Sequence, residues 1–440
     1  MIEKLKYDHG FIPVYESLAS FEKKGHVPFF LTLSRGEKIS YTYPAKITED
    51  PKESYPYVRL LMVVLLWMVG GEKFTFSGDR AMYDYLLKAI KQDEELSLSL
   101  KEMGRMFGKE FELSYGAKPP FTKEERIVLG GGFKGNRIGI DLGGSDRKVT
   151  ATIDGKTVFS EEVLWLPKEQ TDWHYLYDGI LDSYRRGKEH LPSVDAVGIS
   201  TAGVVINNRF AQAALAVMIP DEDKYTKIRD LFLILKENEF PNTPMIVAND
   251  GDISALGASM VFHKDYVLGL AMGTSEATGY CVNNAFNGGI NELGKVPFNA
   301  DPKAYAHYAM KIPGAGSEYL SQKGIIRLAR AAGYSYEGTL AGQLKEIQKE
   351  AEKDNPVILE CYREMGVYLA SAILLYSRFL EIHSVLLLGR VLTGKGGDVL
   401  TSSANEVLKA EGSKTKIFTA DENFKRLGQS YIAASLPKID

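Results

Sequence analysis

Asn249-Asp250 follows the apolar run MIVA at 245–248. A carboxylate emerging at the carboxyl end of a strand, where α/β folds place ligands, can accept the proton of a hydroxyl as general base. The same pair would also serve as an Asx cap on the helix that follows. Earlier in the chain, Asp141 stands just ahead of Gly143, Gly144 and Ser145, with Arg147 and Lys148 behind them. Glycines let backbone N–H groups approach an anion closely, and a carboxylate beside such a turn could hold a metal ion that neutralises phosphate charge. The other reading of those residues is an ordinary hairpin with a Gly-Gly turn.

These residues need strands to position them. Ile138, Ile140 and Leu142 alternate up to Gly143-Gly144, and Val149, Ala151 and Ile153 alternate up to Asp154-Gly155. That is the pattern of a hairpin. VFSEEVLW reads as a third strand, Asp172 to Arg186 as a helix, VDAVGISTAGVVI as a buried strand entering a glycine turn, and Lys224 to Glu239 as a surface helix. From Tyr266 to Met272, through GTSEATG to YCV, the strand–turn–strand unit returns, the internal repeat expected of two similar lobes. Pro356 to Ile382 is apolar at helical spacing and runs into LLLGRVL; Arg426 to Ser435 reads as a closing helix.

Ahead of this lies a region of different pattern. PFFLTLSR, KISYTYPAKI, KFTFSGD and KEFELSYG read as strands, Val58 to Val69 as a buried helix, and Arg80 into the Glu94 region as an amphipathic helix. GAKPPFTKEE and LGGGFKGN, rich in Gly and Pro, read as the linker out of it.

DLGGS followed by basic residues resembles the first phosphate loop of the sugar kinases of the actin, Hsp70 and hexokinase superfamily, and within it the ROK family (repressors, open reading frames, kinases). The resemblance runs from about Arg137 to the C-terminus. It implies a two-lobed ribonuclease-H-like core (the actin-like ATPase and hexokinase fold), α/β in class, with an additional N-terminal α/β region. The expected domains are residues 1–135 as an extension of unknown role, 136–255 as lobe I, and 256–440 as lobe II with the C-terminal helix returning to lobe I. The implied reaction moves the γ-phosphoryl of ATP, with Mg²⁺, to a hydroxyl of a sugar or sugar-like substrate. A non-catalytic sugar or nucleotide sensor on the same fold, and a superfamily kinase acting on a non-sugar acceptor, are the alternatives.

Residue by residue, the ND of Asn249-Asp250 with ALG behind it resembles the segment carrying the family's catalytic aspartate. Asp141, Gly143, Gly144, Ser145 and Lys148 match the first phosphate loop, Asp141 also meeting Mg²⁺ through phosphates or water. Gly273, Thr274 and Ser275 stand at the second loop, where the family pattern is more glycine-rich and Glu276 departs from it. Glu292 in GGINELGKV and Glu318 in GSEYLSQKGI match glutamates that meet the sugar, with Asn249 and Gly203 of ISTAGVV beside them. Gly389 in LLLGRVLTGKGG matches the adenosine motif. Lys295 stands where the family usually has a histidine, and no cysteine cluster follows, so zinc is not expected. The Asn-Leu-Pro segment of the hexose kinases is missing from RFAQAALAVMIPDED, so the identity of the sugar does not carry over.

The totals agree with this picture. A chain of 440 residues, 45% hydrophobic, has room for two or three domains with real cores. A net charge of −4 does not advertise nucleic acid or an anionic membrane, and the extension lacks a helix-turn-helix pattern, so no nucleic-acid partner is expected. Only Cys281 and Cys361 occur, which points to a reducing cytoplasm. MIEKLKYDHG has no apolar signal segment, and Leu60 to Val69 is too short to span a bilayer. The expected partners are small-molecule sugar and ATP, and a second copy in a homodimer.

Overall fold

Period-two alternation builds the sheet that carries most of the candidate residues. Ile138 and Ile140 are fully buried and Leu142 nearly so, in the strand Asn136–Leu142. It pairs antiparallel with Asp146–Ile153, which pairs antiparallel with Lys156–Leu164. On its other side Asn136–Leu142 runs parallel to Ala196–Thr201, which runs parallel to Met245–Asn249. The computed structural model describes residues 4–123, 127–128, 130, 132–420 and 422–439.

The chain forms two compact units: Met1–Glu125, Leu270–Thr278 and Gly288–Thr419 in the first, and Arg126–Gly269, Gly279–Asn287 and Ala420–Asp440 in the second. The second unit holds the five-stranded sheet. Its core includes Trp165, Leu176, Ile180 and Tyr184 beside the strand residues. The closing helix Glu422–Ala434, kinked at Gly428, belongs here. Thr150 and Ser430 share a hydroxyl hydrogen bond of 2.8 Å, and the buried Arg137 guanidinium donates to the carbonyls of Ala434 and Pro437 at 3.2 and 2.7 Å.

The first unit contains a four-stranded sheet in the order Ile39–Ile47, Val27–Arg35, Lys73–Gly78, Glu112–Tyr115. Against it lies the helix Pro51–Met68, whose start is set by proline at the first position and by Asp50, which accepts from the Lys52 N–H at 2.9 Å. Its second half, Leu61 to Met68, is buried throughout, which is why the sequence there shows an unbroken apolar run. The long helix Pro356–Tyr376 is capped by Asn355. The start of the chain is stitched into the same unit. The N–H groups of Lys6 and Tyr7 donate to the buried Glu364 carboxylate at 2.5 and 2.8 Å, the Tyr368 hydroxyl donates to Asp8 at 2.5 Å, and Val14 N–H donates to the Phe298 carbonyl at 2.9 Å.

Two expectations change. The stretch Lys224 to Glu239 is not one surface helix but a π-helical turn, Lys224–Ile228, followed by Leu231–Glu239. The carbonyl of Arg229 leaves the helical ladder to accept the Phe210 N–H at 3.0 Å, and Leu231, Phe232 and Leu235 turn inward. The expected linker is tied down where it can be followed, since Lys123 and Ser40 exchange backbone hydrogen bonds of 2.7 and 3.0 Å. Its residues 124–126, 129 and 131 lie outside the described residues. No helix among the described residues is long and apolar enough to cross a membrane.

Candidate active site

In the second unit, three parallel strands end at one edge. The register sets Asp141 opposite Ser200, Leu142 opposite Thr201, and Thr201 opposite Asn249. Each strand therefore delivers its turn to the same side: Gly143-Gly144, Ala202-Gly203 and Asn249-Asp250. This carboxyl edge is where α/β sheets bind ligands.

Asn249 and Asp250 stand at the start of the helix that follows the third strand. Asn249 is the cap: its Oδ1 accepts from the N–H groups of Gly251 and Asp252 at 2.7 and 3.4 Å. Its Nδ2 donates to the Gly203 carbonyl at 2.8 Å, joining two of the three turns. Gly203 takes φ +110°, and a Cβ there would lie 2.3 Å from the Gln212 carbonyl oxygen, so the turn admits glycine alone. Asp250 opens the helix Asp250–Phe262, half-buried, with Oδ1 accepting the Gly251 N–H at 2.9 Å. Gln429 steadies this first turn by donating to the Asp250 carbonyl at 3.0 Å and to Ser254 Oγ at 2.8 Å.

Asp141 is buried, and its carboxyl is pushed up to about 6 by that burial, offset in part by the Ser200 hydroxyl and the Lys148 ammonium. Lys148 sits across the hairpin from it, 3.4 Å from Glu162 and 3.9 Å from Asp146. Gly143 and Ser145 hold the turn itself: Gly143 N–H donates to the Asp146 carbonyl at 2.9 Å, Trp165 Nε1 to the Gly143 carbonyl at 2.9 Å, and Ser145 Oγ to Asp146 at 3.1 Å. Arg147 points away from the turn and binds Ser183 and Asp182 on the helix His174–Lys188 at 2.6 and 2.5 Å. In its place the exposed Lys168 reaches over the turn, its Nζ 3.3 Å from where a Gly144 Cβ would stand. Sequence reasoning missed Lys168, because a lysine in the short turn Pro167–Glu169 belongs to no motif.

The remaining candidates belong to the first unit. Gly273, Thr274 and Ser275 form a turn in which Gly273 N–H donates to the Ser275 carbonyl at 3.1 Å, and the Gly273 carbonyl accepts from Gln322 N–H at 2.9 Å. Thr274 and Ser275 are exposed. Gly389, at φ +106°, lies against the strand that leads into this turn; a Cβ there would be 2.4 Å from the Met272 carbonyl oxygen. Glu276 does not face solvent beside the loop. It is buried, 3.4 Å from the Tyr376 hydroxyl, and its carboxyl is pushed up to about 8 by burial.

Glu292 and Glu318 are both ion-paired. Lys295 Nζ lies 2.6 Å from Glu292 Oε2 and 4.6 Å above the Trp67 ring. Glu318, 7% exposed, accepts from Lys323 at 2.6 Å and from Arg327 at 3.3 Å, and Arg327 stacks on the Tyr305 ring at 3.9 Å. His307 is buried and packed: its Nδ1 accepts from the N–H groups of Ala309 and Met310 at 3.3 and 3.1 Å, and burial pushes its imidazole down to about 4. Among the described residues, no group of three or more His, Cys, Asp and Glu is arranged to hold a metal ion.

A family model for the ROK family matches residues 137–423. The chain belongs to the ROK family. Three solved structures share its fold. A ROK family glucokinase from Streptomyces griseus, in complex with glucose and AMPPNP, is 18% identical with a TM-score of 0.52; the match covers 69% of this chain and 99% of that one. A ROK hexokinase from Thermus thermophilus is 17% identical with a TM-score of 0.50, over 68% and 97%. A ROK family transcriptional regulator, described as a homologue of the E. coli MLC protein, is 16% identical with a TM-score of 0.50, over 68% and 78%. Curated proteins give no match. The expected α/β fold of the actin-like ATPase and hexokinase type is thus borne out, and residues before 137 lie outside the family match.

Proposed function

We propose that this ROK protein is an ATP-dependent carbohydrate kinase that phosphorylates a hydroxyl of a sugar or sugar-like polyol. One observation carries the reading: Asp141, the Gly203 turn and Asn249-Asp250 share one strand edge, with Asn249 accepting from the first N–H groups of the helix that Asp250 opens.

Asp250 takes the proton of the acceptor hydroxyl as that oxygen bonds to the γ-phosphorus and the bond to the bridging oxygen breaks, releasing ADP. Asn249, Gly203, Glu292 and Glu318 orient the acceptor. Gly143, Gly144, Ser145, Lys148, Gly273, Thr274 and Ser275 hold the phosphates, and Gly389 holds the nucleoside. Asp141 suits a divalent cation held through phosphates or water, because its buried carboxylate carries a desolvation cost that a nearby cation relieves. Magnesium, when bound, neutralises the polyphosphate.

The second reading, a sensor that binds ligand without turnover, is favoured by the ion pairs that already occupy Glu292 and Glu318. Incubating the protein with Mg-ATP and a panel of aldohexoses, N-acetylhexosamines and polyols, and measuring ADP, decides between them. Sugar-dependent ADP supports the kinase; a sugar that binds without ADP supports the sensor.

A further inference from the structure

The last turn of the helix Pro51–Met68 ends on the segment that holds Glu292. A helix leaves its final carbonyls without partners inside the helix. Here the carbonyls of Trp67, Met68 and Val69 accept from the N–H groups of Glu292, Asn291 and Ile290 at 2.8, 3.0 and 3.2 Å. Arg35 donates to the Gly288 carbonyl at the start of the same segment. Gly70 leaves room for Ile290, whose Cγ2 would lie 2.6 Å from a Cβ at that position. The backbone of Glu292 is therefore placed by residues of the N-terminal extension.

Its side chain is placed by the same helix. Lys295 is the partner of Glu292, and the ammonium group lies over the face of Trp67. An aromatic face attracts a cation, most strongly where water is excluded. The Lys295 side chain is only 10% exposed and Trp67 not at all, with the indole N–H directed at Ser99 Oγ, 3.4 Å away.

We infer that the extension is a working part of the acceptor site, in which Trp67 is a positioning residue that fixes Glu292 through Lys295 and so selects the acceptor. This rests on the reading of Glu292 as an acceptor contact. A chain that exchanged this ring for an aliphatic side chain would leave part of the buried space unfilled and lose the face under Lys295, loosening the ammonium and with it the Glu292 carboxylate.

The test uses the full chain as wild type, Trp67→Phe and Trp67→Leu. Lysines are acetylated with acetic anhydride, and the rates at Lys295 and at the exposed Lys409 are read by mass spectrometry. Loss of the aromatic face raises the Lys295 rate roughly tenfold in Trp67→Leu, while Trp67→Phe stays within about threefold of wild type and Lys409 does not change. With any sugar that yields ADP, Trp67→Leu raises KM for that sugar roughly tenfold with KM for ATP within about twofold, and Trp67→Phe restores it. An unchanged Lys295 rate in folded Trp67→Leu overturns the inference, as does a parallel rise in both KM values. If wild type yields no ADP with any sugar, the kinase reading fails, and the acetylation rates still decide the role of Trp67. If Trp67→Leu does not fold, Trp67→Met, longer and equally without an aromatic face, takes its place, and an unchanged Lys295 rate there overturns the inference equally.

Discussion

Replacing Glu276 by glutamine should alter how stability depends on pH. The Glu276 carboxyl is buried beside Tyr376, its Oε2 has no hydrogen-bond partner among the described residues, and burial, reinforced by the charge of Glu292, pushes it from 4.5 to about 8. An unfolded chain ionises this group near its ordinary value and the folded chain only near 8, so between those values unfolding releases a proton and stability falls as pH rises. The contribution is fully present below about 4.5 and lost above about 8. At 1.36 kcal/mol per pH unit, that window amounts to on the order of 5 kcal/mol. Glutamine copies the shape of the neutral carboxyl and cannot ionise. The two proteins should therefore have similar melting temperatures at pH 5, and Glu276→Gln should melt higher by roughly 10 °C at pH 9. Differential scanning calorimetry across that range reads the difference directly. Parallel curves for the two proteins would refute the assignment of a neutral buried Glu276.

Two further outcomes follow from the first unit. Gly389→Ala forces a Cβ to within 2.4 Å of the Met272 carbonyl at φ +106°, so it should cost about 1–3 kcal/mol in denaturant unfolding and raise KM for ATP more than KM for sugar. Removing residues 1–14 strips Glu364 of the Lys6 and Tyr7 N–H groups, Tyr368 of Asp8, and the core of the buried Leu5 and Val14; the lost hydrogen bonds and apolar burial should cost about 3–5 kcal/mol, read as a lower urea midpoint or loss of soluble protein.

The strands were legible because burial alternates along them: Ile138, Ile140 and Leu142 point inward as their spacing implies. Asp250 was legible for the same reason, since MIVA announces a strand and the polar pair its end. What escaped depended on partners distant in sequence. Arg147 and Lys148 look alike from the turn, yet only a view of Ser183 and Asp182 shows Arg147 drawn to a helix. Glu276 read as a charge beside a phosphate loop, and its burial depends on Tyr376, a hundred positions away at the end of the helix Pro356–Tyr376. The break after Ile228 answers to the Phe210 N–H, and the seating of Lys295 answers to Trp67. Neither partner leaves a local signature. The extension carried no family motif, so its hold on the Glu292 segment came into view only with the fold.

The central claim is that Asp250 accepts the proton of a sugar hydroxyl, and Asp250→Asn tests it most directly. Because Asn249 already caps the helix, the substitution keeps shape and leaves the cap in place, so the melting temperature should barely move. With a sugar found to yield ADP, steady-state kinetics should show kcat lower by about 10²–10⁴-fold, with KM for ATP little changed. A kcat within a few-fold of wild type would contradict the account.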